Sequence, residues 1–154
     1  MRLSKKAEYA LRALAELAMA DQEDGNLHAQ ELSRRVQIPV KFLEQILLIL
    51  KRAGILQSRR GAGGGYVLSR PPDRISVGEI VRLIDGPVLL LDCAVPVLQP
   101  ACPCGQEDTC GLRDVMGEVR QSLSELLDRL TLADICRRTR ELRRRREFVP
   151  LYSI

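Results

Sequence analysis

The sequence predicts a mainly α-helical fold: a winged helix-turn-helix domain with a small β-hairpin as its wing, followed by a long C-terminal dimerisation helix. Three patterns support this prediction: two amphipathic helices joined by a tight turn, two short strands around a glycine-rich loop, and a leucine repeat at helical spacing. We expect a winged domain over 1–87, a cysteine-rich loop over 88–111, the dimerisation helix over 112–135 and an arginine-rich tail over 136–154.

Composition limits the classes of function. The 154 residues include 24 Lys and Arg against 20 acidic residues, and the net charge of +4 and pI near 9.0 are compatible with a nucleic-acid partner. Aromatic residues make up 3% and Trp is absent, whereas single-strand binders stack bases on aromatic rings, so duplex DNA is favoured. One His and the lack of a nucleophile–base constellation argue against an enzyme.

The expected location is the cytoplasm, with no membrane partner. The N-terminal residues lack the apolar run of a signal peptide, and the apolar stretch Ile46–Leu50 is far too short to span a membrane. Structural disulfides are uncommon in that compartment, so the five Cys indicate metal binding or redox sensing rather than cross-links.

The first half of the chain predicts the helix-turn-helix and its wing. Ser4 is placed to cap a helix that ends near Ala20, a second helix spans roughly His28–Val36, and a third begins at Pro39 and ends at Gly54. The segments ILQS and YVLS, on either side of RRGAGGG, predict a hairpin. A fourth helix follows, and its start carries an S-x-x-E capping box.

The N-terminal end of the third helix is the expected DNA-reading element, because the second helix of a helix-turn-helix enters the major groove with that end first. Lys41 suits a guanine edge or a phosphate, Gln45 suits adenine, and Phe42 suits a thymine methyl or, alternatively, the hydrophobic core. The expected DNA-contacting residues, including those of the wing, are Lys41, Phe42, Glu44, Gln45, Arg59, Arg60 and Gly61.

The wing tip is expected to contact the minor groove. Arg59 and Arg60 precede glycines that let the backbone approach DNA closely, and Arg suits a narrow minor groove. A merely solvated role for Lys41 or Arg59 is the alternative. The glycine run does not predict a nucleotide-binding loop, because a strand follows it and the sequence GK[ST] is absent.

The loop that follows the winged domain is rich in cysteine. Four Cys lie within 18 residues, spaced C-x(8)-C-x-C-x(5)-C among Pro and Gly, with no pattern that would place the thiols in a core. A soft-metal site is therefore the favoured interpretation. Thiolates bind zinc or iron–sulfur clusters, and the paired C-x(2–4)-C knuckles typical of zinc sites are absent.

The C-terminal part predicts a dimer. An apolar stripe from Leu112 to Leu130 is too long to be covered by a small winged domain, so we expect two copies of this helix to pack together. The alternative is a helix that folds back on its own domain. The arginine-rich tail is expected to be solvated or disordered, with non-specific phosphate contacts as the other possibility.

Together these motifs resemble a family of winged-helix transcription regulators that includes the iron–sulfur assembly regulator IscR and the nitric-oxide sensor NsrR. The resemblance runs from Met1 to about Ile135 and rests on MRLSKKAEYALRAL, FLEQIL, RGAGGGYVLSRP, ISVGEIVRLID and LTLADI, in that order. It implies a homodimer on palindromic double-stranded DNA, and an iron–sulfur cluster, 2Fe-2S or 4Fe-4S, held by three Cys.

The resemblance also implies a set of metal ligands. Some members use a His three residues after the last Cys as the fourth ligand, and Arg113, which does not ligate, stands there in this chain. Others use an acidic residue of the N-terminal helix of the partner subunit, and Glu8 fits that position or is an ordinary exposed carboxylate. The implied cysteine ligands are Cys93, Cys104 and Cys110, with Cys102 as an alternate for Cys104.

The function expected from the resemblance is transcription regulation, in the form of a repressor. Its operator affinity would be controlled by a cluster that senses redox, iron or nitric oxide status. The alternative is a regulator of the same fold without a cluster, which responds to thiol oxidation or to zinc through the same Cys.

Overall fold

The computed structural model describes residues 2–20, 26–59, 61, 64–91, 93 and 109–147, which form six α-helices and one two-stranded antiparallel sheet. Among the described helices, none combines the length and the apolar character needed to cross a membrane. The order of the elements confirms the mainly α winged helix-turn-helix fold. The elements are α1 (Lys5–Ala20), α2 (Ala29–Val36), α3 (Val40–Arg52), β1 (Leu56–Arg59), β2 (Gly65–Leu68), α4 (Val77–Asp85), α5 (Gly111–Arg129) and α6 (Leu132–Glu147).

The start of α1 is fixed against the end of α4. Ser4 caps α1 as the sequence predicts, because its Oγ accepts a hydrogen bond from the N–H of Ala7 at 3.0 Å. The backbone N–H of Ser4 donates to the carboxylate of Asp85, the last residue of α4, at 2.9 Å, and its hydroxyl donates to the same carboxylate. One short side chain therefore positions two helices of the domain.

The hydrophobic core lies around α1 and α3. Apolar residues three and four positions apart give α3 one buried face, which is the spacing that predicts an amphipathic helix. Complete burial of one large aliphatic side chain contributes about 1.5–3 kcal/mol, so this cluster is the main source of stability. Its fully buried members from the two helices include Leu14, Leu17, Leu43, Ile46, Leu47 and Leu50.

The turn between α2 and α3 is held by side chains on both sides. Gln37 adopts the left-handed conformation, with φ 55° and ψ 48°, and its N–H donates to the carbonyl of Ser33. The hydroxyl of Ser33 donates to the carbonyl of Ile38 at 2.5 Å. From α1, the guanidinium of Arg12 donates to the carbonyl of Val36 at 2.7 Å and so satisfies one of the last carbonyls of α2. These bonds fix where α3 begins relative to α1.

The wing is attached to the domain along a second edge. The hairpin register places Arg59 opposite Gly65, and β2 also pairs with Leu27, whose carbonyl accepts from the N–H of Tyr66 at 2.9 Å. Gly65 allows this approach: its φ is 139°, and a Cβ there would lie 2.7 Å from the backbone C and O of Leu27.

We predict that Gly65→Ala destabilises the protein by about 2–4 kcal/mol, because left-handed strain and a backbone clash are added together. Chemical denaturation monitored by circular dichroism measures this change. Gly54→Ala is the matched control, since Gly54 also has a positive φ of 73° but has open space around its Cβ position. Gly54→Ala should cost about 1–2 kcal/mol, and equal losses for the two variants would contradict the proposed clash.

The start of α4 confirms half of the predicted capping box. The Oγ of Ser76 accepts from the N–H of Glu79 at 3.0 Å. The carboxylate of Glu79 forms an ion pair with Arg70, the second residue after β2. In place of the second hydrogen bond of a capping box, from the backbone N–H of Ser76 to the side chain of Glu79, this ion pair links α4 to the end of the hairpin.

The structure corrects the expected C-terminal helix of 112–135, which is divided in two. α5 ends at Arg129 because the next residues pair with the segment before α4. The carbonyl of Leu130 accepts from Val77 at 2.8 Å, and the N–H of Leu132 donates to Ile75 at 3.0 Å. This pairing makes a bridge that interrupts the helix, and α6 starts after it, at Leu132.

A reciprocal cap starts α6. The N–H of Thr131 donates to Oδ2 of Asp134 at 3.1 Å, and the N–H of Asp134 donates to Oγ1 of Thr131 at 3.3 Å. Hydrogen bonds from Arg137 and Thr131 lower the pKa of Asp134 to about 2, so this capping carboxylate is ionised at neutral pH.

The arginine-rich segment is also corrected, as far as α6 extends: it is helical to Glu147, and the expected tail residues 148–154 lie outside the described part of the chain. The first turns of α6 pack on α1, where Leu132 is fully buried and the thiol of Cys136 lies 3.6 Å from the carbonyl of Ala15. Burial raises the pKa of the Cys136 thiol, which identifies this Cys as a packing residue.

Candidate nucleic-acid interface and cysteine segment

The outward face of α3 is polar at its N-terminal end. Lys41, Glu44 and Gln45 are all exposed, and they lie opposite the buried apolar face of the same helix. The fold therefore brings together the three polar side chains that the sequence predicts as base contacts. Donors and acceptors are both present on this face, as recognition of base edges requires.

Sequence reasoning missed Leu48. This side chain is 46% exposed and lies one turn further along the same outward face, at positions i+3 and i+4 from Gln45 and Glu44. An exposed Leu beside polar groups suits contact with a thymine methyl. Its position relative to Lys41, seven residues earlier, was the signal that would have revealed it.

The position of Phe42 in the structure indicates a packing role. Its ring is half-buried and packs edge-on against Tyr9 of α1, with the ring centroids 5.7 Å apart and the planes at 83°. The ring also contacts the main hydrophobic cluster. This contact supports the core role that the sequence left as an alternative, and Leu48 replaces Phe42 as the apolar side chain on the outward face.

The wing presents Arg59 and Gly61 to solvent. Arg59 is exposed at the end of β1, and Gly61 is exposed with a φ of 101° that favours glycine. Arg60, the other predicted wing cation, lies outside the described residues. The ammonium of Lys51 in α3 donates to the hydroxyl of Ser58 in β1 at 2.7 Å, which links the recognition helix to the wing.

Two of the predicted cysteine ligands are in the described part of the chain. Cys93 and Cys110 are free and partly exposed, while Cys102 and Cys104 lie outside the described residues. Cys110 is the N-cap residue of α5, next to the unpaired N–H groups of the first helical turn. Those groups favour negative charge, as a thiolate ligand would bring.

Glu8 is an ionised carboxylate on the surface of α1. Its side chain is 41% exposed, Nζ of Lys5 lies 2.7 Å from one oxygen, and a guanidinium nitrogen of Arg12 lies 3.8 Å from the other. The hydrogen bond from Lys5 lowers the pKa of Glu8, and Arg12 adds to this effect. The carboxylate is thus accessible to a second subunit and is ionised, as a metal ligand must be.

The donor chemistry fits an iron–sulfur cluster. Soft thiolates are the usual ligands of these clusters, and the two predicted ligands that are described, Cys93 and Cys110, are free and partly exposed. Within the described residues, no group of three potential ligands lies close enough to hold a metal ion, and two loop thiols fall outside them.

α5 carries an unpartnered apolar stripe. None of its 19 residues is buried in the protomer, although many are apolar. Its C-terminal end is anchored by Asp128, whose carboxylate binds the guanidinium of Arg82 in α4 at 2.5 and 3.2 Å. Along the rest of α5, four large apolar side chains are exposed in the protomer: Leu112, Val115, Val119 and Leu126, at 62%, 56%, 47% and 50%.

A helix-turn-helix with a polar outward face on its second helix, followed by a basic, glycine-tipped hairpin, defines a winged-helix DNA-binding protein. The chain belongs to the Rrf2 family, described as iron-dependent transcriptional regulators, whose pattern matches residues 3–138. Members of this family regulate transcription and are not enzymes.

Similar proteins agree with this assignment. An rrf2-like HTH-type transcriptional regulator of Rhodobacter capsulatus is 42% identical over 136 residues, which cover 86% of this chain and 91% of that protein. The solved structure of T. potens IscR superposes with a TM-score of 0.73 at 30% identity, covering 92% of this chain and 90% of that one. The structure of CymR, the global cysteine regulator of B. subtilis, superposes with a TM-score of 0.68 at 31% identity, covering 88% of this chain and 96% of that one.

Proposed function

We propose that this protein is a homodimeric repressor that binds a palindromic operator through α3 and the wing. The observation that carries the proposal is the exposed face of Lys41, Glu44, Gln45 and Leu48, which combines donors, acceptors and one apolar group on the helix that enters the major groove. The arginine of the wing adds a cation for the adjacent minor groove.

The dimer follows from the open stripe on α5. Two copies of this helix would cover each other's apolar residues, and a two-fold axis would place two α3 helices at half-sites about one turn of DNA apart. A palindromic operator mirrors that symmetry. The separation of the half-sites is then set by how α5 pairs with its copy.

We further propose that an iron–sulfur cluster, ligated by Cys93, Cys104 and Cys110, controls operator affinity, with Cys102 as the alternate for Cys104. Glu8 of the other protomer is the proposed fourth ligand. When bound, an iron–sulfur cluster would supply reversible redox chemistry, whose potential depends on its ligands and its exposure to solvent. The iron-dependent description of the family supports this proposal.

The residues of the chain explain how such a site would act on DNA binding. In the sequence the four loop Cys come between the winged domain and α5, and Cys110 is the N-cap residue of α5. Glu8 and Arg12 lie one turn apart on α1, and Arg12 also holds the carbonyl of Val36 beside the turn that leads into α3. Two contacts of Arg12, with Glu8 and with the carbonyl of Val36, thus connect the proposed ligand to the turn before the recognition helix.

A second candidate is regulation by thiol oxidation or zinc through the same loop. The free, partly exposed Cys93 and Cys110 favour it, since accessible thiols are the ones that oxidise or ligate. The similarity to the cysteine regulator CymR supports it as well. An absorbance spectrum of protein purified without oxygen distinguishes the two, because iron–sulfur clusters absorb visible light whereas zinc and thiols do not.

The DNA-binding proposal is tested by Gln45→Ala and Lys41→Ala, measured against the DNA upstream of the protein's own gene. Gln45→Ala should weaken binding by about 1–3 kcal/mol and relax the preference at one base pair, because a base contact is lost. Lys41→Ala should act in the same way if it reads guanine. If it binds phosphate, it should lower the slope of log affinity against log salt by about one unit.

Arg52→Ala is the matched control, because Arg52 is exposed on the last turn of α3, away from the end that reads bases. It should leave the base preference unchanged. A folded Lys41→Ala, Gln45→Ala double variant with the affinity and base preference of the parent would refute the proposed interface.

A further inference from the structure

The second half of α6 is a concentrated basic surface. Between Arg137 and Arg146 the helix has seven Arg and one Glu, and the residues from 141 to 146 are all exposed. This segment carries more positive charge than the whole chain, whose net charge is +4, so the remaining residues together are slightly acidic. The helix dipole favours cations at this end, which explains why the helix tolerates them.

Several of these cations have no acidic partner among the side chains that the structure describes. Arg137 pairs with Asp134 at 2.8 Å and with Glu141 at 3.5 Å. In contrast, no such ion pair is found for the four exposed guanidinium groups of Arg138, Arg144, Arg145 and Arg146. Like charges three and four residues apart repel each other by a few tenths of a kcal/mol per pair, so an external polyanion would stabilise this half of α6.

The position of this surface is set by a shared carboxylate. Glu16 of α1 is 16% exposed at its side chain, and it lies 3.4 Å from Arg35 of α2 and 3.8 Å from Arg143 of α6. The basic end of α6 therefore begins beside the C-terminal end of α2. In a helix-turn-helix protein the first helix of the pair crosses the DNA backbone. Arg35 at the end of α2 thus lies near Arg143, where the basic end of α6 begins.

We propose that the last turns of α6 bind the phosphate backbone of the DNA that flanks the operator. This proposal rests on the proposed DNA-binding function and adds a second, sequence-independent contact to it. Arg143 to Arg146 are four consecutive positions, about 100° apart around the helix, so their side chains surround it rather than form one flat patch. That arrangement suits an extended polyanion. An acidic protein is disfavoured, because protein interfaces have an apolar centre and Leu142 is the one apolar side chain in the second half of α6, up to Arg146.

The test is the triple variant Arg144→Gln, Arg145→Gln, Arg146→Gln, measured in a salt series on two duplexes. The short duplex contains only the part of the upstream DNA that the recognition helices contact. The long duplex has about one more helical turn on each side. On the long duplex, the slope of log affinity against log salt should fall by roughly 2 to 3 units for each bound protomer, at about 0.9 per lost phosphate contact. On the short duplex the slope should not change.

The matched control replaces the same three residues with Lys, which keeps the charge and the helix propensity. Because phosphate attraction depends on charge, the Lys variant should retain the slope of the parent on the long duplex. Equal slopes for the Gln variant and the parent on the long duplex would overturn the proposal and point to a protein partner for α6. If the parent itself shows no preference for the upstream DNA over a mixed-sequence duplex, the proposed operator function fails instead.

Discussion

Val115→Glu combined with Val119→Glu is expected to convert the dimer to a monomer and to reduce operator affinity by about 100-fold or more. Both side chains lie on the open stripe of α5, where they are 56% and 47% exposed in the protomer. In the dimer they would be buried, and burying unpaired carboxylates is strongly unfavourable. A monomer contacts one half-site at a time and loses the gain from bivalent binding, about 100- to 10,000-fold.

Sedimentation equilibrium and DNA titration measure the two effects on the same protein sample. Leu142→Glu is the control for oligomeric state, because Leu142 is also an exposed apolar residue, at 64%, but it lies on α6. That variant should remain a dimer. A double variant of α5 that is folded and still dimeric at micromolar concentration would show that α5 does not form the interface.

Cys110→Ala is expected to abolish the cluster and to change operator affinity tenfold or more. The thiol of Cys110 is the proposed ligand that lies at the start of α5. Without this thiol, the proposed cluster would no longer be attached to the start of α5. A tenfold change requires about 1.4 kcal/mol of difference between two arrangements of the dimer. Iron and sulfide analysis after purification without oxygen, followed by DNA titration, gives both results.

Cys136→Ala is the matched control, because this thiol is buried between α6 and α1. It should retain iron and sulfide at the level of the parent, at some cost in stability. A full cluster in Cys110→Ala would mean that the ligand set is wrong. Separate Cys102→Ala and Cys104→Ala variants then decide which of these two thiols ligates, and Glu8→Gln tests the ligand from the partner subunit.

Local sequence signals predicted the helices of the winged domain because each signal acts within a few residues. The caps at Ser4 and Ser76 and the glycine after α3 are of this kind, and the structure shows all three. The start of α6 was also encoded locally, in the Thr131 to Asp134 cap, whereas the end of α5 depends on the distant bridge between Thr131 and Ser76. Because the leucine repeat continues up to that cap, the sequence pattern predicted one continuous helix.

The features that sequence reasoning missed or left open depend on contacts between distant residues. The choice between the two roles that the sequence allows for Phe42 depends on Tyr9, and the attachment of the wing depends on Leu27 and Tyr66. The shared position of Arg35 and Arg143 depends on Glu16, which is far from both in sequence. Periodicity identifies the exposed face of a helix, but only packing shows which neighbouring element that face lies beside.

We propose one protein that binds its operator and an iron–sulfur cluster that controls this binding. The most direct measurement is the operator affinity of anaerobically purified parent protein before and after removal of its iron with a chelator, at one salt concentration, with the visible spectrum recorded in parallel. We expect visible absorbance that disappears with the iron, and an operator affinity that changes at least tenfold while binding to a mixed-sequence duplex changes little. A colourless protein, or one whose operator affinity is the same before and after the iron is removed, would contradict it.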